Sequence, residues 1–88
     1  MQIRKMLLFR KKHGVTRLEL SRYSGISHQR LAEVDYNTGA LSPHMNQLVD
    51  TAFLSLIGAR RQNLADLEAD FQKHRRNLLD IVDGEELL

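Results

Sequence analysis

Eighty-eight residues with no cysteine describe one small domain that neither a disulfide nor a thiolate-bound metal holds together. A chain this short builds a limited core, so association with a second chain is expected. Arg4 and Lys5 come early and the apolar stretch of residues 6–9 is short, which argues against a signal-peptide core or a membrane span and leads to the expectation of a soluble cytoplasmic protein.

The net charge of +2 is unevenly spread. Residues 1–32 carry eight Lys/Arg against Glu19 alone, a local +7, whereas residues 33–59 sum to −3 and residues 60–88 to −2. A basic third raises the local potential for polyanions whatever the total. The plain alternative is a solvated basic face.

Ile3, Met6, Leu7 and Phe9 recur at helical spacing, and the basic turn Lys11-Lys12-His13 precedes Gly14. This predicts a first helix with cations at its C-terminal end, where the helix dipole favours them, and a glycine able to take positive φ at its stop. Thr16 with Glu19 three residues later is a capping-box pair for a second helix, which turns Leu20 inward and stops at Gly25. Ser27 then caps a third helix, spanning 27–36, with Leu31 and Val34 on its apolar side and His28, Gln29, Arg30 and Glu33 elsewhere.

Residues 36–41 have loop composition. Ser42-Pro43 restarts a helix, Ser as cap and Pro at the first helical position, and Leu48, Val49, Ala52, Phe53 and Leu56 give it a broad buried stripe that Gly58 ends or bends. From Ala59 to Val82 there is neither Gly nor Pro. Ile57, Leu64, Phe71 and Leu78 fall seven apart and Leu67 and Ile81 three later, a heptad seam that Arg60 opens and His74 interrupts. The seam either zips to a second copy or folds back on the first helices; sustained heptads favour self-association. The expected division is a domain over 1–57, a long C-terminal helix over 58–83 that dimerises through Ile57, Leu64, Leu67, Phe71, His74, Leu78 and Ile81, and a frayed tail over 84–88. No strand pattern runs beyond a few residues, so the fold class is all-α.

Arg10 four residues before Gly14, Leu20, Gly25-Ile26-Ser27, Leu31, Asp35 and Ser42-Pro43 leading to Leu48 together resemble the Cro/repressor (Xre-like) helix-turn-helix family over residues 3–56. The resemblance implies a compact five-helix, lambda-repressor-like DNA-binding domain, with the last helix as an extension outside it. It further implies a third helix lying in the major groove of double-stranded DNA and a second helix crossing above. His28, Gln29 and Glu33 match base-reading positions, with Arg30 reaching a base or a phosphate. Gln29 suits adenine or guanine, and Glu33 can accept from cytosine N4. Arg17 matches a phosphate contact; Arg22, Lys11 and Lys12, with Thr16 and Ser27 at the two helix starts, suit the same backbone. Arg10 and Asp35 match a structural ion pair tying the first helix to the end of the third. The implied function is that of a homodimeric repressor, nucleoid-associated when bound, with no cofactor.

Leu7, Leu8, Leu18 and Tyr23 fall where that family is often polar, which suggests a covered surface. The alternative function is therefore a protein-interaction module on the same scaffold, binding another regulator or an assembly factor through its long helix and that patch. The four histidines, at 13, 28, 44 and 74, share no metal-ligand spacing. No nucleophile motif or phosphate loop warrants catalysis, so the chain is not expected to be an enzyme. The polar side of the last helix mixes both signs of charge, unlike a membrane-binding face.

Overall fold

The computed structural model describes residues 2–84. Their regular elements are helices: α1 (Lys5–Lys12), α2 (Arg17–Ser24), α3 (His28–Asp35) and α4 (Pro43–His74). Local chemistry sets most boundaries. Arg10, Lys11 and Lys12 fill the last turn of α1, and the chain reverses at Gly14 (φ +63°) to bring Val15 into the interior. The Thr16 hydroxyl accepts from the Glu19 amide at 3.0 Å, and Gly25 closes α2 in the left-handed region (φ +73°) with its amide on the Ser21 carbonyl. The Ser27 hydroxyl accepts from the Arg30 amide at 3.1 Å. Each such cap satisfies an amide that has no partner within its own helix.

The turn between α2 and α3 is held by two serines. Ser21 Oγ donates to the Ile26 carbonyl at 2.6 Å, and Ser24 Oγ accepts from the Ile26 amide at 3.1 Å. Small hydroxyls thus satisfy a turn that buries Ile26 and fix the angle between the two helices. Val15, Leu20, Ile26, Leu31, Val34, Met45, Ala52 and Leu56 form the core, flanked by Met6, Leu48, Val49 and Phe53. Ala52, fully buried, lets α4 approach α2, its main packing neighbour. Truncating fully buried Leu20 or Leu31 to Ala would remove about 2–5 kcal/mol.

Among the described residues four helices stand where five were expected. Residues 36–42 form the expected loop: Asn37 adopts φ +57° and the Thr38 amide returns to the Glu33 carbonyl at 2.9 Å. Gly58 does not end a helix: α4 runs through it as one element of 32 residues. A single interior glycine weakens a helix by about 1 kcal/mol, too little to break one anchored by Ala52 and Leu56 on one side and continued by good helix formers on the other. The expected boundary between residues 57 and 58 is therefore the middle of a helix.

Further corrections concern α4 and its surroundings. The helix ends at His74, so Leu78 and Ile81 lie beyond the helical seam, in the turn and coil that follow. Ser42 makes no side-chain cap bond, and Pro43 alone marks the start. Leu7 is buried, only 5% exposed, and does not belong to an outer patch. The expected tail 84–88 falls outside the described residues apart from Gly84. The long axis of the molecule, 53 Å against 22 Å across, follows from α4, about 48 Å long at ~1.5 Å per residue. From Arg61 to His74 every residue of α4 is exposed: the first half of the helix is core, the second a free shaft. Among the described residues no helix is long and apolar enough to cross a membrane.

Candidate nucleic-acid interface

α3 is anchored from beneath. Leu31, Val34 and Asp35 are buried, and Asp35 Oδ2 receives both Arg10 Nη2 and, at 3.1 Å, Arg17 Nε. Arg10 is itself buried and also donates to the Val15 carbonyl at 3.2 Å, so one guanidinium joins α1, the α1–α2 turn and the end of α3. The pair expected between Arg10 and Asp35 is thus present, and Asp35 is a hub for two arginines rather than one. The chain entering α1 is tied to the same place: the Arg4 amide donates to the Asp35 carbonyl at 2.9 Å and Arg4 Nη2 to Asn37 Oδ1 at 3.1 Å.

The outer face of α3 carries His28 and Gln29, both exposed, at its first turn. Arg30 and Glu33 are half-buried and hold each other, Arg30 Nη1 to Glu33 Oε2 at 3.0 Å. Arg30 Nη2 also donates to the Ala40 carbonyl in the following loop. Arg30 therefore neutralises the one acid on this face and pins the loop to the helix. Of the four residues expected to contact bases, two stand free toward solvent and two form an internal pair.

Arg17, expected at phosphate, leans on Asp35 through Nε and lies over the Tyr36 ring at 5.8 Å from its centroid. Nε and the ring hold the guanidinium in place, and the bond to the carboxylate is made through Nε. The Thr16 and Ser27 hydroxyls act as caps. Arg22 is exposed near the end of α2. Lys11 and Lys12 are exposed beside His13 and Gly14, whose carbonyls are gripped by Arg60 of α4 at 3.0 and 3.1 Å, so these lysines sit toward the root of the shaft.

Arg60 and the Glu19 side chain have roles that their sequence neighbours do not show. The Glu19 amide takes the Thr16 cap as expected, but its carboxylate does not return to complete the box, and Arg60 does not lie along the seam. In the structure Arg60 turns back to the body and pairs with Glu19 at 2.9 Å as well as with the two carbonyls. The partners are 41 residues apart, and no local spacing announces such a contact. Leu8, Leu18 and Tyr23 are exposed on α1 and α2, with no cover from α4, while Leu7 is buried. Comparison of the chain with protein-family models, with curated proteins and with solved structures finds no match.

Proposed function

We propose that this chain is a sequence-specific DNA-binding transcription regulator of the Cro/repressor kind, a homodimer that lays α3 in the major groove and represses by occluding a nearly palindromic operator. The observation that carries the reading is the open outer face of α3. The helix is fixed from below through Asp35, Leu31 and Val34, α4 packs against α2, and His28 and Gln29 stand free at the end of α3 that would enter the groove. On this reading Gln29 bonds adenine or guanine, His28 donates to a base edge, and Glu33, already balanced by Arg30, accepts from cytosine N4. Arg17, braced by Asp35 and Tyr36, offers its Nη groups to a phosphate, and Arg22, Lys11 and Lys12 add charge to the backbone contact.

The test is selection from a genomic fragment library at low salt. Enrichment of fragments sharing two half-sites about one DNA turn (~34 Å) apart is expected, with affinity falling steeply as salt rises. Gln29→Ala should relax the preferred sequence, while Arg17→Ala should weaken all sequences alike. Failure to enrich any sequence sinks the reading. A second reading, a protein-interaction module, rests on the exposed Leu8, Leu18 and Tyr23, and is favoured if no DNA is selected.

A further inference from the structure

The shaft of α4 is the feature that neither the core nor α3 explains. Residues 61–74 are exposed throughout, yet Leu64, Leu67 and Phe71, 56%, 64% and 45% exposed, line one face with Ile57. The same face runs at its root into an apolar groove of about 240 Å³, whose lining includes Phe9, His13, Phe53, Ile57 and Arg60. An apolar cavity of about 150 Å³ accommodates benzene, so this groove has room for a phenyl ring.

We propose that a second copy of the chain covers this face, its α4 running antiparallel over residues 57–74, so that the partner's Phe71 meets the groove of the first copy. In an antiparallel pair each a position faces a d position of the other strand. Three layers follow: Leu64 against the partner's Leu67, Phe71 against the partner's Arg60, and Ile57 against the partner's His74, each repeated by the two-fold axis. The flanks agree. Arg61 falls beside the partner's Glu68, and Asn63 beside the partner's Asp70, so the single base at the start of the shaft meets the acid at its middle twice over.

A parallel pair makes the opposite choices. It places Arg60 against Arg60 and His74 against His74, and it brings both copies of α1 to the same level of the seam, in return for Asp70 near the partner's Arg75. Arg75 is already engaged, over the Phe71 ring at 5.6 Å and on Gln72 at 3.3 Å. Length favours the antiparallel form as well. With the axis between Leu64 and Leu67, the end of α4 at His74 falls level with Ile57 of the partner, where the partner's body begins. Arg60, clamped to His13, Gly14 and Glu19, is drawn toward the body and opens the seam to the incoming ring.

The inference sharpens the dimer of the reading above, and it makes no use of DNA. The chain lacks cysteine, so single cysteines report orientation cleanly. Light scattering of the full chain at micromolar concentration should give twice its 10.2 kDa, and Leu67→Glu should return it to the mass of one chain with its helical spectrum retained. An equimolar mixture of Ile57→Cys and His74→Cys, mildly oxidised, should yield the mixed disulfide. His74→Cys alone should yield none, because the two copies of residue 74 lie about 25 Å apart along the axis, far beyond the ~4.4–6.8 Å between Cα atoms that a disulfide spans. A single-chain mass, a His74→Cys homodisulfide, or no mixed disulfide overturns the proposal. A crosslinked dimer that selects no DNA removes the regulator reading and leaves this one standing, and a monomer that selects DNA does the reverse.

Discussion

Asp35 offers the sharpest test of how the body is held. Its carboxylate is fully buried and Oδ2 receives two arginines, one of them, Arg10, with a side chain only 5% exposed. Asp35→Asn keeps the shape and removes the charge, leaving Arg10 buried without its counter-ion. Breaking one side of a buried pair removes about 3–5 kcal/mol, a large part of the roughly 4–13 kcal/mol that 88 residues sustain. Arg17→Ala removes the outer arginine, whose side chain is 21% exposed and nearer solvent, and should lose about 1 kcal/mol or less. The informative variant replaces both inner partners, Arg10→Met with Asp35→Leu. No buried charge is then left alone, Arg17 can turn to water, and the loss should shrink to that of the Arg10 bond to the Val15 carbonyl, about 1 kcal/mol. Urea unfolding followed by far-UV circular dichroism reads all three. With a slope of about 1 kcal/mol/M, Asp35→Asn should lower the midpoint by ~3 M or arrive unfolded, and the double variant should recover most of that. If Asp35→Asn loses less than about 1 kcal/mol, or the double variant loses the sum of its parts, the claim that Asp35 holds the body together by charge is refuted.

The caps make a graded set: Thr16→Ala and Ser27→Ala should each lose about 1 kcal/mol, whereas Ser42→Ala, with no side-chain bond to lose, should leave the urea midpoint unchanged. The glycines divide in sign. Gly25→Ala forces a side chain to φ +73° and should destabilise by about 1–2 kcal/mol, while Gly58→Ala, inside α4 with open space around its added Cβ, should stabilise by about 0.5–1 kcal/mol in the same titration. Arg60→Ala should free the α1–α2 turn, read as faster amide hydrogen exchange at Val15 and Leu20 with little change in helix content.

Sequence spacing was enough for what depends on neighbours. The Thr16 and Ser27 caps, the glycine stops at 14 and 25, the inward turn of Leu20, Leu31 and Val34, and the stripe from Leu48 to Leu56 all rest on contacts within a few residues. The Arg10–Asp35 pair was reached across 25 residues, through family resemblance. What escaped was decided by tertiary balance. Gly58 looks like a stop in isolation, but packing before it and good helix formers after it outweigh its weak propensity. Leu7 looks surplus on the surface because nothing local shows that α1 turns it inward. Arg60 and Glu19 each had a plausible local role, as seam flaw and as capping partner, and a contact spanning the fold took both. The capture of Arg30 by Glu33 and the Ala40 carbonyl likewise depends on where the loop after α3 passes.

Continuity of α4 through Gly58 turns the molecule into a ruler with a fixed bearing. Its first half is locked by Met45, Ala52 and Leu56 in the core, Arg60 bolts it to the turn after α1, and no joint lies between the bolt and the shaft. The azimuth of the exposed apolar face relative to α3 is therefore written in residue count. One residue inserted between Arg61 and Leu64 would swing that face by about 100° around the helix axis and move it ~1.5 Å outward, while seven would return it nearly to its bearing about 10 Å farther along. Whatever the shaft holds, the distance and angle at which α3 is presented can change in this chain only by such discrete steps.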